Sequence, residues 1–260
     1  MLTISKPLSA AQARAYHAEE FSNARENYYT AADQIRGRWH GQLARQWGLS
    51  GDVREDHFAR LAEGQHPLTG ESLVRHRTPA RYTNERGQSV TTMAHRAGWD
   101  ATFSAPKSVS VTALVGRDLR VREAHEASVS IALDELEHYV QARLGNHPPE
   151  VTGRWIAARF EHDSARPVDG YAAPQLHTHV MVFNLTQTES GETRPLQPRE
   201  LYKTQQYATA IYRAELALRL QDLGYPIARG DHGQPEIQGC SVEYLEASSP
   251  RRQQIKAYLE

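Results

Sequence analysis

Cysteine is almost absent. The single Cys240 excludes an internal disulfide framework and fits a reducing, cytoplasmic setting. Long apolar runs are missing as well. No stretch approaches the roughly 20 residues that cross a bilayer, so membrane insertion is not expected. The opening "MLTISKPLSAAQ" has no basic segment followed by an apolar one, so no secretory signal is expected. Neither sign of charge is in excess: 30 Lys and Arg against 31 Asp and Glu leave a net charge of −1. That balance excludes a uniformly basic nucleic-acid binder and leaves such a role to local clusters. There is no internal repeat and no low-complexity tract. What remains is a chain of 260 residues, 39% hydrophobic and 23% charged, able to bury one large core.

The order of patterns predicts an α+β fold. "MLTISKPL" (1–8) reads as a strand and 9–21 as a helix capped by Ser9. A helix ends at Gly48 or Gly51, and 54–64 forms a short amphipathic helix stopped by Gly64. The 65–98 segment reads as loops and short strands. It carries Arg75, Arg77, Arg81, Arg86 and Arg96 against Glu71 and Glu85, a local basic patch. "GWDATFSAPKSVSVTALVG" (98–116) starts as a strand, breaks at "SAPK" and continues as an apolar element of open type. Residues 117–145 predict one long amphipathic helix ending at Gly145. Strands are expected at 153–163 and 175–188, helices over most of 196–224, a hairpin after Tyr225, and a last helix from the Ser-Pro signal at 249–250. Two strands around a loop with long helices to one side imply an antiparallel sheet.

Histidine, by contrast, is plentiful, with 13 copies. Most, such as His57, His66, His125 and His138, are expected at the surface. "PQLHTHVMVFN" (174–184) is different, because side chains two apart on a strand share a face. His177 and His179 therefore point one way and Thr178 the other. His162 ends the preceding strand. If the two strands pair as a hairpin, three imidazoles meet at one edge of the sheet, a facial nitrogen set for a metal with open positions. The bland alternative is a polar strand mouth hydrogen-bonded to its neighbours. A cupin-type site needs a Glu a few residues on, where Met181, Phe183 and Asn184 stand. Asp100, in "GWDATF", is a solvated strand residue or a carboxylate that orients a ligand or acts as base.

Tyrosines outnumber phenylalanines, 12 to 5. "ENYYT" sets Tyr28 beside Tyr29 among polar residues, with Tyr16 on the preceding helix. An ordinary packed pair is one reading. At neutral pH only about 0.1% of a phenol is ionised, a deficit of about 4 kcal/mol, which a divalent cation and a nearby base could offset.

"GWDATFSAPKSVSV", "FEHDSARPVDGYAAPQLHTHVMVFN" and "YY…GRWHG" together resemble the relaxase domain of MobF-class conjugative relaxases, the TraI/TrwC-like group of HUH endonucleases. The resemblance runs from about residue 1 to beyond 240. It implies an antiparallel palm-like sheet with helices on one side and a helical C-terminal clamp. The expected division is 1–195 as catalytic palm and 196–260 as clamp, in a fragment of a longer protein. It implies one divalent cation, Mg²⁺ or Mn²⁺ with Zn²⁺ as alternative, on His162, His177 and His179, with Asp100 as acid/base or orienting carboxylate. It implies a tyrosine nucleophile near the N-terminus, for which the order of preference is Tyr28, Tyr29, Tyr16. The family's two tyrosine pairs are reduced here to one pair and a single Tyr16.

The activity so implied is site- and strand-specific nicking of single-stranded or hairpin origin-of-transfer DNA through a 5′-phosphotyrosyl adduct that can be religated. Lys107, Arg166, Arg75, Arg77 and Arg81 are candidate DNA contacts. Other relaxosome proteins are expected partners of a monomeric, cytoplasmic, plasmid- or mobile-element-encoded protein. Two alternatives stay open: a rolling-circle initiator or water-using phosphoesterase, and a hairpin-binding module that does not cut.

Overall fold

The structure is a computed structural model that describes residues 1–15, 37–74, 81–85, 87–91 and 95–259. Strands enter in the order β1 (Leu2–Ile4), β2 (Leu8–Ser9), β3 (Arg38–His40), β4 (Arg81–Thr83), β5 (Ser89–Thr91), β6 (Arg96–Ser104), β7 (Gln141–Ala142), β8 (Glu150–Val151), β9 (Ala157–Ser164) and β10 (Pro174–Phe183). Two short strand pairs follow: β11 (Thr186–Gln187) with β12 (Thr193–Arg194), then β13 (Ile227–Arg229) with β14 (Pro235–Ile237). The main sheet has the order β1-β6-β10-β9-β3, with β2 also on β6. Every pairing in it is antiparallel. β4 and β5 form a ribbon of their own.

The strand period of two divides the apolar residues between two cores. Trp99, Ala101 and Phe103 of β6 and Leu176, Val180 and Val182 of β10 face one core. The helices Lys107–Leu114, Leu119–Glu137 and Gln205–Asp222 close it with Val109, Val129, Leu133, Tyr212 and Leu216. Ala158 and Phe160 of β9 with Met181 and Phe183 of β10 face the other. There Trp39 and the short helices Gln42–Gln46 and Glu55–Ala62 supply Leu43, Phe58 and Leu61. The long helices thus lie on one side of the sheet, and the short ones cover part of the opposite face. The Gln205–Asp222 helix buries Ala208, Tyr212, Leu216 and Leu220 in the same core as the sheet.

Local signals explain most boundaries. Ser9 Oγ accepts from Gln12 N at 3.2 Å while Gln12 Oε1 accepts from Ser9 N at 2.9 Å, a reciprocal cap that starts a helix described over 10–15. The rest of that expected helix, 16–21, lies outside the described residues. After "SAPK" the open element is a helix, Lys107–Leu114. The expected 117–145 helix is shorter: it runs from Leu119 to Glu137. The chain then turns because the Val140 carbonyl accepts from Thr152 N and Gly153 N, and Gln141 and Ala142 pair with Val151 and Glu150. Gly145, with φ of 67°, serves that connection and not a helix end. The hairpin after Tyr225 and the helix from Pro250 are present as expected.

Candidate active site

β10 is the central strand, and its burial alternates. Leu176, Thr178 and Val180 are buried on the helix side, while His177 and His179 are half-buried on the other. Register then selects the neighbours. His177 stands opposite His162 on β9 and Ser104 on β6, and His179 stands opposite Phe160 and Thr102. Asp100 is two residues from Thr102 on β6, hence on the same face. The strand period and this pairing alone bring three imidazoles together.

The ring centroids are 5.1 Å apart for His162–His177, 5.2 Å for His162–His179 and 4.9 Å for His177–His179. A metal–nitrogen bond of about 2.1 Å puts a ring centroid about 3.3 Å from the ion, so rings sharing one cation at right to tetrahedral angles stand roughly 4.6–5.3 Å apart. The observed spacing fits that range.

Hydrogen bonds set the tautomers of two of the rings. His177 Nδ1 is 2.9 Å from the Gln175 carbonyl oxygen, which can only accept, so Nδ1 carries the proton and Nε2 keeps its lone pair. His179 Nδ1 lies 3.0 Å from Asp100 Oδ2 and 3.2 Å from Oδ1, with the same consequence. Thr102 Oγ1 donates to Asp100 Oδ2 at 2.9 Å, which holds the carboxylate in place. Imidazole, carboxylate and hydroxyl form the outer support that metal-binding histidines need. Burial, then the neighbouring His179 and His162, push the His177 imidazole down to about 3. For His177 this favours a neutral ring able to donate an electron pair.

Behind the strand lies a group the sequence analysis misplaced. His125, expected at the surface, is fully buried. Its Nε2 is 2.9 Å from Thr178 Oγ1 and its Nδ1 is 2.8 Å from Tyr212 Oη. The signal was present: His125 shares the helical stripe of Val121, Ala124, Ser128, Val129 and Ala132, all buried.

The other candidates are distributed around this centre. Lys107 Nζ donates to the Pro174 carbonyl at 2.8 Å, and burial lowers it to about 8; it anchors the start of β10. Arg166 is exposed in the loop between β9 and β10, where Val168 and Tyr171 bridge around Asp169 and Gly170 at φ of 50° and 81°. Two successive positive φ values make the tight turn that an Asp-Gly pair prefers. Arg81 is exposed on β4 and its Nε donates to Ser89 Oγ on β5 at 2.9 Å. Arg75, Arg77, Tyr16, Tyr28 and Tyr29 lie outside the described residues.

Comparison with known proteins gives a consistent result. A family described as TrwC relaxase matches residues 10–260. The multifunctional conjugation protein TraI of Escherichia coli is 37% identical over 269 aligned residues, which takes in 98% of this chain and 14% of TraI. TraI of strain K12 is 36% identical with the same coverage. The chain therefore spans about one seventh of the length of these relatives. Among solved structures, the conjugative relaxase TrwC in complex with oriT DNA, metal-bound, superposes with a TM-score of 0.82 at 31% identity, over 99% of this chain and 82% of that one. TrwC complexed with a 27-mer DNA comprising the recognition hairpin and the cleavage site superposes with a TM-score of 0.80 at 31% identity, again over 99% of this chain and 82% of that one.

Proposed function

The chain belongs to the TrwC relaxase family, and from that premise we propose that it nicks origin-of-transfer DNA at one site on one strand by transesterification. The observation that carries the proposal is the trio of histidines on β9 and β10, with His179 oriented by Asp100. Its donor chemistry and ring spacing match one divalent cation. Metal-bound and copper-bound TrwC structures support such an ion, and we propose Mg²⁺ or Mn²⁺ here, with Zn²⁺ as alternative. When bound, the cation supplies Lewis acidity to a non-bridging oxygen of the scissile phosphate.

The protein's own residues would do the rest. His177 and His179 are held with Nδ1 protonated and Nε2 as the coordinating atom, His162 completing the set. Asp100 fixes His179 and offers a carboxylate to the reacting region. A tyrosine hydroxyl, Tyr28 first, then Tyr29 and Tyr16, attacks phosphorus. Its O–P bond forms as the P–O3′ bond breaks, the phenolic proton passes to a base, and that proton or one from solvent is delivered to the departing 3′-oxygen, which leaves as a hydroxyl. The strand then ends in a 5′-phosphotyrosyl link. One phosphodiester replaces another, so religation needs no external energy source.

The exposed β4–β5 ribbon with Arg81, and Arg75 and Arg77 before it, are proposed to contact the DNA hairpin. Arg166 and Lys107 are proposed on the single strand. We further propose a monomer acting in the cytoplasm with other relaxosome proteins.

The test is a denaturing gel of the chain incubated with a single-stranded origin oligonucleotide and Mg²⁺ or Mn²⁺. A covalent protein–DNA band is expected, lost in Tyr28→Phe and retained in Tyr29→Phe and Tyr16→Phe. Cleavage without any adduct would instead identify water as the attacking group and overturn the transesterase.

A further inference from the structure

On the far side of the sheet from the three histidines, His40, Asp134 and Glu137 each place a ligand atom so that all lie within 4.8 Å of one another. His40 ends the edge strand β3, while Asp134 and Glu137 are three apart on the Leu119–Glu137 helix and so share one of its faces. His40 is 9% exposed. Its Nε2 stands 3.2 Å from Asp134 Oδ1, outside well-formed hydrogen-bond geometry with any of the described residues. The two side chains stand as an ion pair that holds the Asp134 carboxyl below its ordinary range, and the same spacing suits two ligands of one ion. With bonds of about 2.1 Å, a nitrogen and an oxygen on the same cation stand roughly 3.0–3.4 Å apart, each directed at the ion and not at the other.

Glu137 fits the same picture. Its Oε1 accepts from Gln42 N at 2.6 Å and Trp155 N at 2.9 Å, and Oε2 remains as a donor atom. The residue is 2% exposed, and burial pushes its carboxyl up despite the two backbone N–H donors and the neighbouring His40 and Arg45. Asp134 has half of its side chain exposed, which gives an ion a path in. After His40 itself, Arg45 and Arg159 are the positive groups acting on Asp134, and Arg159 is partly answered by Glu126 at 3.9 Å.

We propose that His40, Asp134 and Glu137 form a second cation site, separate from the histidine trio, that binds a divalent transition metal of the Zn²⁺ class. One imidazole and two carboxylates with a position left for water suit that class. The ion ties β3 to the Leu119–Glu137 helix and, through Glu137, to the backbone at Gln42 and Trp155. Its role is to clip the edge strand that follows residues 16–36, where the candidate tyrosines lie.

The experiment removes the first site from view. In a His177→Ala/His179→Ala chain, zinc chloride titrated by calorimetry is expected to bind at one ion per chain and to raise the melting temperature, since a ligand of the folded state stabilises it by mass action. Adding Asp134→Asn, an exposed and structurally mild change, should weaken zinc at least tenfold and remove most of the thermal shift. Adding His40→Asn should abolish both. In the otherwise native chain, Asp134→Asn should leave nicking intact. Equal zinc affinity with and without Asp134→Asn, or no zinc binding in the double variant, would overturn the second site without touching the nicking proposal.

Discussion

Thr178, the residue between His177 and His179, has its hydroxyl 2.9 Å from Nε2 of His125 on the opposite face of the sheet. The strand that presents two site histidines to one side is pinned from the other by a third kind of histidine contact. Tyr212 completes this buried chain, so every polar atom in it has a partner inside an otherwise apolar core.

The first prediction concerns acid stability. Burial pushes His125 down to about 3 and His177 likewise to about 3, against an ordinary value of about 6.5. Below pH ~6.5 the unfolded chain takes up protons that the folded chain refuses, so stability is lost as pH falls from about 6.5 towards 3. His125→Gln should flatten that loss, although it lowers stability at neutral pH by disturbing the Thr178 and Tyr212 bonds. Melting temperatures between pH 4 and 8 for both proteins decide it, and identical slopes would refute the assignment.

Asp100 can be separated from DNA binding. Asp100→Asn exchanges an acceptor-only carboxylate for an amide that can present N–H to His179, and so loosens the tautomer. Loss of such a support typically costs 10–100-fold in metal affinity or activity. Nicking of an origin oligonucleotide should fall by that order while hairpin binding holds. Treatment of the native chain with EDTA should abolish nicking with the same binding retained.

Arg81 sits exposed on a two-stranded ribbon, an element narrow enough to enter a major groove. Arg81→Ala should weaken hairpin binding and reduce the salt dependence of the affinity by about one counterion. Fluorescence anisotropy at several salt concentrations measures both. An unchanged slope would remove Arg81 from the interface.

Gly98 has no room for a side chain. It faces Phe183 across the β6–β10 ladder, and an added Cβ would lie 1.9 Å from the Val182 carbonyl oxygen. Backbone cannot yield as a flexible side chain does, so Gly98→Ala should cost about 3 kcal/mol, the upper end of ordinary overpacking. Chemical denaturation gives the value directly.

Much of the site was legible before folding. Local rules govern which way adjacent residues of a strand face, so "HTH" sufficed to put His177 and His179 together. "FEHD" ending one strand and "PQLHTH" opening the next sufficed for His162, because a short loop brings those ends side by side. The Ser9 cap and the final Ser-Pro helix start are equally local. By contrast, the 117–145 pattern stayed apolar-periodic past the true helix end. What stops the helix is Val140 accepting from Thr152 and Gly153, residues more than ten positions away, and periodicity carries no record of such bonds.

The amino-acid order by itself determined the alternation that gathers the imidazoles and the residue types able to hold a cation, since both depend on neighbours along the chain. Tertiary structure alone decided that Asp100 reaches His179, that His125 meets Thr178 and Tyr212, and that His40 meets Asp134 and Glu137. Those meetings join strands and helices whose relative placement comes from burying two faces of one sheet at once. No single segment contains that information, because each buries its own face only against the others.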